Sequence, residues 1–133
     1  MLVQKAGYLK TLHILDEHIW FPPLEEADSD GLLAAGGDLS PQRLLAAYSK
    51  GIFPWFEGDI PLWWSPNPRF VLHPSQLYIS KSMRQVMRRQ TFSFTQNKAF
   101  RTVIEHCSKT SRNGQAGTWL NPALIEAYTS LHL

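Results

Sequence analysis

The sequence predicts an α+β fold, with a small N-terminal subdomain (residues 1–66) followed by a second unit (67–133). Three observations lead there. Helix start signals recur along the chain, two short runs carry strand-like composition, and a loop too rich in proline for regular structure lies at the junction. That loop, GIFPWFEGDIPLWWSP at 51–66, holds Trp55, Trp63 and Trp64 together with Pro54, Pro61 and Pro66. Proline fixes φ and removes an N–H donor, so the run cannot continue a helix.

The first helix follows GGDLSP. Ser40 is placed to cap it and Pro41 occupies the first helical position, where its missing N–H costs nothing. Leu44, Leu45 and Tyr48 are expected on its apolar face, and Gly51 ends it. The run RFVLH at 69–73 reads as a strand. A second helix follows Ser80 through KSMRQVMRRQ, with Met83, Val86 and Met87 expected inward and Arg84 and Arg88 sharing the other side at helical spacing. TFSFT at 91–95 alternates apolar and polar residues like a half-buried strand. A third helix after Asn97 has Phe100, Val103, Ile104 and Cys107 as its expected buried stripe. The fourth is capped by Asn121, has Pro122 at its first position, and carries Leu124, Ile125, Tyr128 and Leu131. Two strands make a poor sheet to cover three helices, and the last helix runs out at AYTSLHL without a C-cap glycine, so the second unit reads as truncated.

A chain of 133 residues with 44% hydrophobic content is long and apolar enough for one folded domain. It has no apolar run near the ~20 residues of a membrane span. The opening MLVQKAGYLKTLHILDEH is interrupted by charges and so differs from a secretory signal. A cytoplasmic location is the expectation, and the single cysteine, Cys107, agrees with a reducing compartment and is expected as a small buried residue. The net charge of +2 conceals an asymmetry. Residues 1–68 carry four basic and nine acidic side chains, whereas 69–112 carry nine basic side chains against Glu105 alone. Such a basic block fits either a polyanion partner or a solvated helix face.

Standard catalytic patterns are missing: no Walker A run, no nucleophile elbow, no H-E-x-x-H. The glycine pair Gly36–Gly37 lacks dinucleotide-fingerprint spacing and reads as a turn before Ser40, and Asp38 reads as part of that turn. His13, His18, His73, His106 and His132 show no paired-ligand spacing, so no metal site is expected. What remains is flat aromatic surface beside positive charge. Single-stranded nucleic acid is held by stacking bases on aromatic rings while Lys and Arg meet phosphates. For each tryptophan, Trp119 in GTWL included, packing or subdomain glue is the competing reading, and Phe53 and Phe56 read as core.

The segments DGLLAAGGDLSPQRLLAAYSKGIFPWF, PLWWSPNPRFVL, ISKSMR and GTWLNPALIEAYTSLH, in that order, resemble the leucyl/phenylalanyl-tRNA-protein transferase family. The similarity runs from about Leu12 to Leu133, with residues before it outside the pattern. It implies an aminoacyltransferase that moves leucine or phenylalanine from aminoacyl-tRNA to a protein with N-terminal Arg or Lys, marking that protein for degradation, and that needs neither cofactor nor metal. It also implies that 67–133 is the incomplete first part of an acetyltransferase-like (GNAT-like) domain. Carried over position by position, Trp55 and Trp119 match residues lining the pocket for the aminoacyl-tRNA 3′ end, while Arg88 and Arg89 match a basic pair contacting the tRNA body. Trp63 and Trp64 are expected to be structural. The family's catalytic acid and amide residues belong to the part beyond this similarity, so no catalytic residue is expected within these 133 residues and the chain alone is expected to be inactive. A non-catalytic tRNA-binding module and an inactive remnant are the alternatives.

Overall fold

The computed structural model describes residues 12–111, 114 and 118–133. Its sheet lies entirely in the N-terminal part and has four short strands: β1 (His13–Leu15), β2 (Leu32–Gly36), β3 (Phe53–Pro54) and β4 (Leu62–Trp64). Their spatial order is β1-β2-β4-β3. β1 runs parallel to β2, and the other two pairings are antiparallel, setting Ala34 opposite Trp63 and Phe53 opposite Trp64. Side chains alternate across a strand, so adjacent Trp63 and Trp64 are sent to opposite faces.

Helix α1 (Pro41–Ser49) packs on this sheet, and its ends form as the residues dictate. Ser40 Oγ accepts from the Arg43 N–H at 3.3 Å. At the other end Gly51, at φ 75°, donates to Tyr48 O at 3.0 Å while Ile52 donates to Ala47 O at 2.9 Å. Those two bonds make a Schellman stop that also turns the chain into the Trp/Pro loop. Leu15, Phe21, Leu33, Ala34, Leu44, Ala47, Ile52 and Trp63 form the core.

Three further helices follow: α2 (Lys81–Arg89), α3 (Phe100–Lys109) and α4 (Pro122–His132). α4 returns to the N-terminal unit, adding Ala127 to its core with Leu131 packed alongside. α3 rests on α4. Arg101 forms a forked pair with Glu126 at 2.6 and 3.1 Å, and the Phe100 ring stacks on His132 at 4.3 Å.

The expected strands at 69–73 and 91–95 are not formed. A strand needs a neighbour for its N–H and C=O groups, and none lies alongside either run among the described residues. The same lack corrects the expected helix faces. Met83, Val86 and Met87 are exposed and α2 buries none of its nine residues. In α3 only Ile104 is buried, whereas Val103 and Cys107 face outward. Leu45 and Tyr48 of α1 are also exposed, because Leu44 and Ala47 occupy the sheet-facing stripe. What stands is a mixed α/β chain around a small four-stranded sheet.

Candidate functional site

The proline-braced loop holds its first tryptophan by the backbone and leaves the ring free. Trp55 N–H donates to Leu62 O at 2.9 Å, folding the loop back onto β4. Trp64 then donates its indole N–H to Trp55 O at 2.7 Å, with the two ring centres 5.7 Å apart. Trp55 remains 49% exposed. Trp63 points the other way. It is fully buried, donates to Gly36 O at 2.9 Å and meets the Phe21 ring edge-on at 4.9 Å. Thus Trp63 fastens the core and Trp64 braces Trp55, as expected for structural residues.

Asn121 links this loop to the start of α4. Its Oδ1 accepts from Leu124 N–H at 2.9 Å, which caps the helix, and its Nδ2 donates to Phe56 O at 3.3 Å. Trp55 directly precedes Phe56 and Trp119 lies two residues before Asn121, so one side chain joins the two tryptophan-bearing segments. Trp119 is 40% exposed and meets Tyr128 edge-to-face at 6.1 Å. The Tyr128 hydroxyl forms a 2.5 Å hydrogen bond with that of Tyr48, tying α4 to α1. Burial, reinforced by this bond, raises the Tyr128 pKa far above the ordinary phenol value and keeps the group neutral. Its place behind Trp119 was not legible in the sequence, where both tyrosines read only as helix-face residues.

Arg88 and Arg89 occupy the last turn of α2, where positive charge complements the helix dipole. Neither side chain has a hydrogen bond or ion pair with a described residue, and no such bond or ring contact joins α2 to the Trp/Pro loop. The structure therefore joins the two indole segments and leaves the basic pair apart on an open helix.

Sequence reasoning missed Arg43. Its side chain is fully buried, with Nη2 donating to Asp16 O at 2.7 Å and Nε 3.4 Å from Asp38 Oδ1. The 3.4 Å approach is an ion pair whose geometry falls short of a hydrogen bond, so Nε and Nη1 are unpartnered donors. The guanidinium occupies space opened by Gly37: at φ 71°, a Cβ there would come within 2.9 Å of Arg43 Cζ. Asp38 also accepts from Ser40 N–H at 2.8 Å, matching its expected turn role. The available signal was helical spacing, since Arg43 and Ala47 share the buried face of α1. Among the described residues no group of three or more His, Cys, Asp or Glu is arranged to hold a metal ion. No described helix is long and apolar enough to cross a membrane.

A Trp-rich, proline-braced loop tied to a capped helix thus defines a mixed α/β chain with an aromatic edge and a separate basic helix. The family model described as leucyl/phenylalanyl-tRNA protein transferase matches residues 71–133, and the model for that family's N-terminal domain matches 37–67. Curated relatives bearing the name leucyl/phenylalanyl-tRNA-protein transferase are similar over most of this chain. The Flavobacterium johnsoniae protein is 51% identical over 122 residues, covering 91% of this chain and 58% of the relative. The Myxococcus xanthus protein is 53% identical over 119 residues, covering 88% of this chain and 51% of the relative. A Christiangramia forsetii protein is 54% identical over 113 residues, covering 84% and 53% respectively. The chain belongs to the leucyl/phenylalanyl-tRNA-protein transferase family, and it spans little more than half the length of these relatives.

Proposed function

We propose that this chain supplies the aminoacyl-tRNA-binding part of a cytoplasmic aminoacyltransferase that moves leucine or phenylalanine onto a protein with N-terminal Arg or Lys, as in an N-degron pathway. Trp55 and Trp119 receive the aminoacylated 3′ end, and Arg88 and Arg89 meet phosphates of the tRNA body. The observation that carries this reading is the Asn121–Phe56 bond, which joins two segments that each offer a partly exposed indole. An adenine stacks well on such a plane, and each stacked base is worth about 1–3 kcal/mol.

In the reaction, the acceptor's neutral α-amine attacks the aminoacyl ester carbonyl. A C–N bond forms, the bond from that carbonyl to the ribose oxygen breaks, and the amine's proton passes to the released ribose hydroxyl. This balance requires no cofactor. Residues 1–66 act as the N-terminal subdomain, 67–133 as the first part of an acetyltransferase-like domain, and the 133 residues alone do not complete the transfer.

Titration of the chain with an aminoacyl-adenosine analogue, followed by tryptophan fluorescence, tests the site. Saturable quenching is expected, and Trp119→Ala should weaken binding roughly 5- to 150-fold, the equivalent of one lost stack. Absence of quenching, or quenching untouched by both Trp55→Ala and Trp119→Ala, overturns the assignment. A second reading, a tRNA-binding module without catalysis, is favoured by the open position of α2. Under either reading, Arg88→Ala should reduce the salt dependence of tRNA binding by about one phosphate contact.

A further inference from the structure

Arg69 lies just beyond the Trp/Pro loop yet bonds both of its ends. Its Nη2 donates to Gly51 O at 2.8 Å and, at longer range, to Ser65 Oγ at 3.3 Å, while Nε donates to Pro66 O at 3.4 Å. Each end is also seated on the sheet unit. Gly51 donates to Tyr48 O where α1 stops, and Ser65 N–H donates to Gly31 O at 2.7 Å, with a Cβ on Gly31 falling within 2.5 Å of Pro66 Cα. The backbone joins those ends to each other only thinly, because β3 has two residues and Pro54 has no N–H to give. A guanidinium presents its donors in a fixed planar fork, so one side chain can hold both ends in a set geometry.

From this clasp a row of rings leads to the exposed indole. Arg69 Cζ lies 6.0 Å from the Phe53 ring centre, at the outer limit of a cation–π contact. Phe53 is opposite Trp64 in the β3–β4 register, and cross-strand partners share one face of a sheet. Trp64 holds Trp55 in turn, through its indole bond to Trp55 O and the contact between their rings. We propose that Arg69 is a positioning residue for the aminoacyl-adenosine site, clasping loop 51–66 at both ends so that Phe53 and Trp64 set the plane of the Trp55 indole. This role rests on the reading of Trp55 as a base-stacking residue, but its first readout needs no ligand.

That readout is circular dichroism of the 133-residue chain in the far ultraviolet. Two indoles 5.7 Å apart and inclined by 49° couple their transitions, and the resulting exciton couplet should vanish in Trp55→Phe. Arg69→Lys keeps the charge but offers one ammonium in place of the fork. It should lose most of the couplet while the buried emission of Trp63 persists, and affinity for an aminoacyl-adenosine analogue should fall roughly 2- to 13-fold, as for one hydrogen bond lost. The analogue carries no phosphate and the lysine retains the charge, so weakened phosphate attraction cannot imitate this result. Should Arg69→Lys fail to fold, Ser65→Ala removes the hydroxyl partner of the clasp and should give a smaller loss of the same kind. A couplet unchanged in these variants and in Arg69→Ala overturns the proposal, as does a couplet missing from the unsubstituted chain. Analogue affinity that stays constant while the couplet is lost overturns it too. If the couplet depends on Arg69 but the unsubstituted chain binds no analogue, the clasp on Trp55 is supported and the base-stacking reading is what fails.

Discussion

The sheet unit and the segment at 67–99 contain similar side chains and treat them in opposite ways. Trp63, Phe21 and Leu44 are buried against β2 and α1, whereas no residue from 67 to 99 is buried, despite Phe70, Met87 and Phe92 among them. Composition therefore does not separate the regions; the availability of a partner surface does. In the sheet unit the buried apolar side chains cluster with others drawn from distant parts of the chain, with α4 reaching back to place Ala127 in that core. Along α2 there is no such counterpart among the described residues.

The largest expected effect lies at the centre of the packed region. Trp63→Ala empties the core beneath β4, removes the donor to Gly36 O and frees the ring edge that Phe21 meets. A loss of roughly 3–5 kcal/mol is expected, as for other large core aromatics. Urea unfolding followed by circular dichroism measures it, and a loss below about 1 kcal/mol would show that this unit does not dominate stability.

How much of this division was legible depends on whether the signal was local. Three helix starts were, because a cap and its N–H lie three residues apart: Ser40, Ser80 and Asn121 all accept as expected. The third helix was placed less well, since Asn97 takes a left-handed φ of 58° and α3 starts after Ala99 without a side-chain cap. The strands were not legible. β2 is LLAAG, with little β-branched or alternating character, and β3 and β4 are two and three residues long inside a proline-rich loop. Conversely, TFSFT has strand-like alternation and no partner, which shows that pattern alone does not make a sheet. For the site, Trp55 and Trp119 could be marked out by resemblance, but the Asn121–Phe56 and Tyr48–Tyr128 bonds span distant parts of the sequence and have no local signature.

A smaller effect is expected where the packed unit meets solvent. Partial burial works to raise the Asp38 pKa, but hydrogen bonds from Ser40 and then the Arg43 guanidinium outweigh it, so the carboxyl lies below its ordinary 3.8. A depressed folded pKa contributes stability above the unfolded value and loses it as pH falls through the folded one. Asp38→Asn keeps an acceptor for the Ser40 turn and discards the charge facing Arg43. At neutral pH it should cost no more than about 1 kcal/mol, because the carboxylate is half exposed to solvent. The gap between native and variant stability should narrow as pH falls below about 4, and thermal unfolding over that range reads it. A gap unchanged by acid would place the Arg43 anchor elsewhere, with the Asp16 carbonyl as its main partner.

The smallest effect should come from an apolar site of the open region, and it is the most discriminating. Met87→Ala removes a side chain that is 58% exposed from a helix with no buried residue, while alanine raises helix propensity. In the chain alone, unfolding should shift by no more than about 0.5 kcal/mol. A buried methionine truncated in the same way costs about 2–5 kcal/mol. One residue thus reports which region it belongs to: the small shift makes α2 a solvated helix, as its exposure requires, whereas a loss of several kcal/mol would place Met87 in a packed core and erase the contrast with Trp63.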